Sequence, residues 1–182
     1  MLEVVKKVFY AIWVIIILYL LVLYIRHPEM ATPEYFRNFL ASYGDEMWLV
    51  FIVLTILRGF FLIPSTPFVI GGALLFPDHL FLVLVVSMVG VMLSATALYY
   101  FSDMLGFSKY LEKKHPNDID LWKTRLSSPK AIFFVAGWSL FPLVPTDLIC
   151  YIAGIVKMPY RYMFLGVFIG ELALVVFYIY FG

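Results

Sequence analysis

Three ionisable residues stand inside or beside long apolar runs: Arg58, Asp147 and Glu171. A charge at the centre of a bilayer costs about 2.5–3.5 kcal/mol on insertion scales, and residues placed there usually act on ions, protons or charged ligands. Arg58 precedes Pro64 by six positions, Asp147 follows Pro145 by two, and Glu171 lies near the start of the last apolar run. A guanidinium keeps its charge and can hold two phosphate oxygens at once, which makes Arg58 a candidate phosphate-facing cation. Asp147 is expected to counter that charge when no anion is bound. A carboxyl withdrawn from water favours its neutral form, so Glu171 is expected to take up a proton as the site switches access. The plainer alternative is a fixed Arg58–Asp147 ion pair, with Glu171 reaching out to the membrane interface.

Prolines surround these charges. Pro64-Ser65-Thr66-Pro67 is followed by Gly71-Gly72 and Pro77, and Pro142-Leu143-Val144-Pro145 by Gly154 and Pro159. Proline removes a backbone donor and blocks the turn before it, so two prolines three apart interrupt a span. In hydrocarbon such a break must be buried in protein or line a wet cavity. Paired interruptions in two halves of a membrane protein point to a transporter's binding region. Ser65, Thr66 and Thr146 would offer hydroxyls to an anion there, or merely satisfy nearby backbone. The expected hairpin framework is Pro64, Pro67, Gly71, Gly72, Pro142, Pro145 and Gly154.

The rest of the sequence must hold those breaks at depth. Of its 182 residues 64% are hydrophobic and 14% charged, with mean hydropathy +0.97, against about 25% charged in a soluble domain. The bilayer is the expected solvent. Val8 to Ile25 forms an apolar run behind Lys6 and Lys7; it exceeds the usual signal-peptide core, no small-residue cleavage site follows, and a retained first transmembrane helix is expected. Thr32-Pro33-Glu34 gives a cap, a first helical residue and an acid at the positive helix end. Tyr35, Phe36, Phe39, Leu40 and Tyr43 then share a face, which predicts an interfacial helix or one packed on the protein itself. Residues 80–105 and 163–181 predict long spans. Gly90, Ser94 and Ala97, and the pair Gly166 and Gly170, supply small residues for close helix approach.

Charge fixes an expected orientation. If each break returns to its own side, Lys6, Lys7, six basic residues within 106–130, Lys157 and Arg161 share one face, leaving Arg26 and Arg37 on the other. That ten-to-two bias places the N-terminus in the cytoplasm and makes the halves an inverted repeat. Residues 47–63 are long enough to cross fully, so re-entrant and spanning readings of 47–77 both stand.

At these residues the chain resembles a known family. Arg58-Gly-Phe-Phe-Leu-Ile-Pro-Ser-Thr-Pro, with Gly71, Gly72 and Phe76, is similar to the first half of the DedA superfamily, in its VTT-domain (SNARE-associated Golgi protein) branch. Phe141-Pro-Leu-Val-Pro-Thr-Asp-Leu-Ile-Cys-Tyr-Ile-Ala-Gly154, with Gly166 and Gly170, resembles the second. The likeness covers roughly residues 45–182. It implies facing re-entrant hairpins and lipid handling: flipping of a polyprenyl phosphate carrier, phospholipid scrambling or upkeep of the proton-motive force. Many relatives carry an arginine where Ser139 stands, and many an acid near the first proline block, where this chain has Arg58. A mechanism needing either group does not carry over.

The expectation is therefore an all-α polytopic membrane protein of one domain, 1–182. A transmembrane and an interfacial helix (1–44) precede a core of two inverted-repeat halves (45–182), with re-entrant segments near 58–77 and 131–157. Its expected function is a transporter or flippase for an anionic lipid phosphate, polyprenyl phosphate or phospholipid, in a bacterial cytoplasmic membrane. Proton coupling and a homo-oligomer are left open. A passive scramblase and a non-transporting assembly or homeostasis factor are the alternatives. No nucleophile motif or phosphate loop favours an enzyme. No cofactor is expected; the lone Cys150 and the separated His27, His79 and His115 argue against a metal, and no basic stripe argues for nucleic acid.

Overall fold

The computed structural model describes residues 2–61, 63–104, 114, 116–141 and 144–182, and among them every regular element is helical. The helices are α1 Leu2–Arg26, α2 Pro33–Ala41, α3 Met47–Leu57, α4 Thr66–Leu75, α5 Leu80–Met104, α6 Pro116–Leu126, α7 Ala131–Leu140, α8 Thr146–Ile155 and α9 Tyr160–Phe181. Among the described residues, two stretches are long and apolar enough to cross a membrane, Pro77–Ser102, which contains most of α5, and Tyr160–Phe181, which is α9. By contrast α4, α7 and α8 have 10 residues each, which gives about 15 Å at 1.5 Å per residue, half a hydrocarbon core.

The predicted start of α2 is found. Thr32 Oγ1 accepts from Tyr35 N at 3.2 Å and Pro33 opens the helix. The predicted aromatic face divides, however: Phe36 and Leu40 are buried, while Tyr35, Phe39 and Tyr43 are exposed. Phe36 and Leu40 turn inward because α4 offers no side chain at Gly71. A Cβ there would meet the Pro33 carbonyl at 2.8 Å and Phe36 Cδ1 at 2.9 Å. Gly72 does the same for α3, whose Phe51 ring would lie 2.8 Å from its Cβ. These two glycines are therefore seats within a helix, not part of a turn.

The second half is seated in the same way. Gly154 of α8 lies against Tyr99 and Ser102 of α5. Gly166 and Gly170 of α9 receive α7, where Cβ atoms would meet Val135 at 2.6 Å and the Ala136 carbonyl at 2.5 Å. The GxxxG pair thus makes a helix contact, as its spacing predicts.

Packing between halves is reciprocal. α5 packs on α3 of its own half and α8 of the other; α9 packs on α7 of its own half and α4 of the other. Two apolar cores result. One holds Phe36, Leu40, Phe51, Val69, Val83 and Met88 with Val175 and Ile179; the other holds Val91, Ala95, Leu98, Val135 and Ile149 with Met163 and Val167. The early part of α5 thus shares a core with the late part of α9, and the late part of α5 with the early part of α9, so the two run in opposite directions. What lies between the cores lies at mid-helix.

The halves also keep register. α8 begins 80 positions after α4 and α9 begins 80 after α5, but α7 begins 84 after α3. The four-residue difference falls in the break itself, where the first half carries an additional 3-10 turn, Arg58–Phe61. Residues 47–63 therefore do not form one continuous α-helix.

Candidate functional site

The added turn is built around its arginine. Ile63 N donates to the Arg58 carbonyl at 3.2 Å, and Arg58 Nη1 donates back to the Ile63 carbonyl at 3.0 Å. Ser94 Oγ of α5 donates to the Ile56 carbonyl at 2.9 Å, at the point where α3 gives way to the tighter turn. Gly59 lets the turn approach further: a Cβ on it would meet Ser94 Oγ at 2.5 Å and Asp147 Oδ1 at 3.0 Å.

Asp147 comes from the other break. It sits in the first turn of α8, where the positive end of the helix favours a carboxylate. Arg58 Nη1 approaches its Oδ2 at 3.3 Å, and the two side chains are 3% and 6% exposed. The expected juxtaposition of Arg58 and Asp147 is thus observed. Glu171 does not reach the interface; it is 1% exposed, and its Oε1 accepts from the Thr146 hydroxyl. Ser65 of the first break lines the same cavity as Glu171.

These groups surround one cavity of ≈ 40 Å³, lined by Arg58, Ser65, Thr66, Thr146, Asp147 and Glu171 with an apolar wall that includes Phe141, Val144 and Leu174. A water needs about 10–15 Å³ reckoned in this way, so the chamber holds a few. Pro64 and Pro145 line it too. The first residues of α4 and α8 therefore both open onto it; Pro67 has no N–H, and Phe68 N and Leu148 N donate to the Ser65 and Pro145 carbonyls, so Thr66, Thr146 and Asp147 carry the N–H groups these helix starts can turn to an anion. Of the expected hairpin residues, Pro67, Gly71, Gly72 and Gly154 belong to the helices beyond the breaks, and Pro142 falls outside the described residues. No group of three or more potential metal ligands occurs among the described residues.

The chamber contains one cation and two carboxyls. Two polar atoms of its lining residues, Arg58 Nε and Glu171 Oε2, have no hydrogen-bond partner among the described residues, and neither do the buried hydroxyls of Thr55, Ser87 and Ser139, which do not line it. Sequence reasoning did not single out Thr55, Ser87 or Ser139 as binding groups, because isolated hydroxyls in apolar runs ordinarily bond to their own helix. By sequence Ser94 offers only a small residue for packing; its bond to the break depends on α3 ending at Leu57.

A family model described as the VTT domain matches residues 63–182, about two thirds of the chain. The match contains Ser65, Thr66, Thr146, Asp147 and Glu171, while Arg58 lies five positions before it. No curated protein and no solved structure matches. Helices long and apolar enough to span, paired proline breaks and this match agree: the chain belongs to the VTT-domain family of membrane proteins, that of DedA and the SNARE-associated Golgi proteins.

Proposed function

We propose that this protein carries a lipid phosphate, a polyprenyl phosphate or a phospholipid, across the bilayer. The observation that carries the reading is the buried Arg58–Asp147 pair, set between two helix starts in a chamber with a second carboxyl. An incoming phosphate competes with Asp147 for Arg58. The guanidinium then offers its planar fork to the phosphate oxygens, while the N–H groups at the starts of α4 and α8 take part of the charge.

Glu171 is the proton site in this scheme. An anion entering beside two carboxyls adds like charge, which protonation of Glu171 would relieve. Coupling phosphate to a proton makes movement sensitive to the proton gradient. Phe141 is 54% exposed at the apolar wall, a surface suited to the lipid chain while the headgroup occupies the polar floor. The chamber is far smaller than the about 300–1,000 Å³ of ligand pockets, so the wall must move to admit a headgroup.

Opposed α5 and α9, short helices at the breaks and the ten-to-two basic bias support an inverted repeat with re-entrant segments. We read the N-terminus as cytoplasmic and the membrane as a bacterial cytoplasmic membrane, and the protein as a carrier, not an enzyme. The test is movement of a labelled polyprenyl phosphate and a labelled phospholipid in reconstituted vesicles, with and without a proton gradient. Arg58→Ala should abolish movement while the protein stays folded. Undiminished movement would remove Arg58 from the mechanism. Movement that ignores the gradient and survives both Asp147→Asn and Glu171→Gln would favour a passive scramblase.

A further inference from the structure

The two halves place a hydroxyl at the same point. Thr55 is the ninth residue of α3, and Ser139 the ninth of α7. Each sits on a glycine of the long helix in its half: a Cβ on Gly90 would meet Thr55 Cγ2 at 2.5 Å, and one on Gly170 would meet Ser139 Cβ at 2.7 Å. Those glycines are also equivalent, each the eleventh residue of its helix. Both hydroxyls are at least 98% buried, and neither Oγ has a hydrogen-bond partner among the described residues.

Each is close, by its place in the helices, to a charged residue with a similarly unpartnered atom. Arg58 follows Thr55 by three positions, so both face the same side of the lead-in segment near its end. Glu171 directly follows the glycine on which Ser139 rests. Ser87 adds a third unpartnered hydroxyl to the first group, one helical turn before Gly90 on α5. The partnerless polar atoms thus form two sets: Thr55 Oγ1, Ser87 Oγ and Arg58 Nε in one half, Ser139 Oγ and Glu171 Oε2 in the other.

A buried hydroxyl without a partner destabilises a fold, and the usual remedy is a water with two to four polar neighbours. We infer that Thr55 and Ser139 anchor two separate water sites, one per half, which hydrate Arg58 and Glu171 by different routes. α3 and α7 begin on opposite faces in the charge-based topology, and each hydroxyl lies about 12 Å along its helix. The Thr55 site is reached from the Met47 face, and the Ser139 site from the Ala131 face. The inference shares with the proposed function the charge-based topology and the depth of the charged residues; it requires no particular substrate.

Cysteine accessibility tests it. Cys150→Ala removes the only thiol, and Thr55→Cys or Ser139→Cys adds one in that background. Vesicles of oriented protein are treated with a small membrane-impermeant methanethiosulfonate on one face at a time. Val53→Cys and Leu140→Cys are controls, because those side chains are 43% and 49% exposed at similar depth on the same two helices. The expected result is labelling of position 55 from the Met47 face alone and of position 139 from the Ala131 face alone, each at least about tenfold faster than its control. Any other pattern overturns the inference.

A second measurement covers variants that do not fold. Thr55→Val and Ser139→Ala keep shape while removing the hydroxyl. If the sites are hydrated, Tm falls; if the hydroxyls are dry, relieving an unpartnered polar group raises it by about 2–4 °C or more, and the inference fails. Neither assay follows a substrate. Loss of lipid movement with labelling intact would sink the proposed function alone, and loss of sided labelling with movement intact would sink this inference alone.

Discussion

Arg58 Nη1 and Asp147 Oδ2 meet at 3.3 Å across 89 positions of sequence, each delivered by a different helix break. Neither break holds its charge alone. The arginine is gripped by the carbonyl of its own turn, and the aspartate is favoured by the start of its own helix.

Removing one partner should cost far more than removing both. Arg58→Ala leaves a buried carboxylate, a change that typically costs about 3–5 kcal/mol, whereas Arg58→Met with Asp147→Leu should be neutral or stabilising. Thermal unfolding of the two single variants and the double variant in one detergent measures this. Both single variants and the double variant unfolding together at wild-type temperature would show that the pair contributes nothing.

Glu171→Gln should separate binding from proton coupling. The amide carbonyl can still accept from Thr146, so the local bond survives while the titrating group is lost. Lipid movement should continue without responding to a pH gradient. A response of wild-type size would assign the coupling elsewhere.

Glycines should respond according to their surroundings. A Cβ at Gly154 runs into the Tyr99 carbonyl and Ser102 Oγ of α5, so Gly154→Ala should destabilise by about 1–3 kcal/mol. A Cβ at Gly137 meets nothing within 4 Å, so Gly137→Ala should stabilise α7 by roughly 0.5–1 kcal/mol. Equal effects at both positions would contradict the packing of α8 on α5.

Ser94→Ala should weaken the seat of the arginine turn. It removes the 2.9 Å bond to the Ile56 carbonyl, worth about 0.5–1.5 kcal/mol, and loosens the surface on which Gly59 rests. Lipid movement should slow while Ser127→Ala, at an exposed position just past α6 whose hydroxyl donates to the Lys123 carbonyl, leaves it unchanged.

The prolines, the buried charges and the long spans were legible because each follows from one residue type in one setting. Thr32-Pro33 specifies its helix start by local bonding alone. The end of α3 at Leu57 was not legible, because the next four residues tighten around a bond to nearby Ile63 and around Ser94 and Asp147, which only the fold brings there. Glu171 read as a residue able to reach the interface, since nothing nearby in sequence shows that Thr146 comes to meet it. The face of α2 divided because Gly71 leaves room for Phe36, information held 35 positions away.

The extra turn has an effect on the molecule as a whole. On the inverted-repeat reading, Arg-Gly-Phe-Phe is the one difference in length between two core halves that otherwise keep register. The charges are shared unequally as well: the guanidinium comes from one half only, and both acids from the other. On the proposed carrier reading, insertion sense then decides which leaflet meets positive charge first, and a population inserted both ways would work against itself.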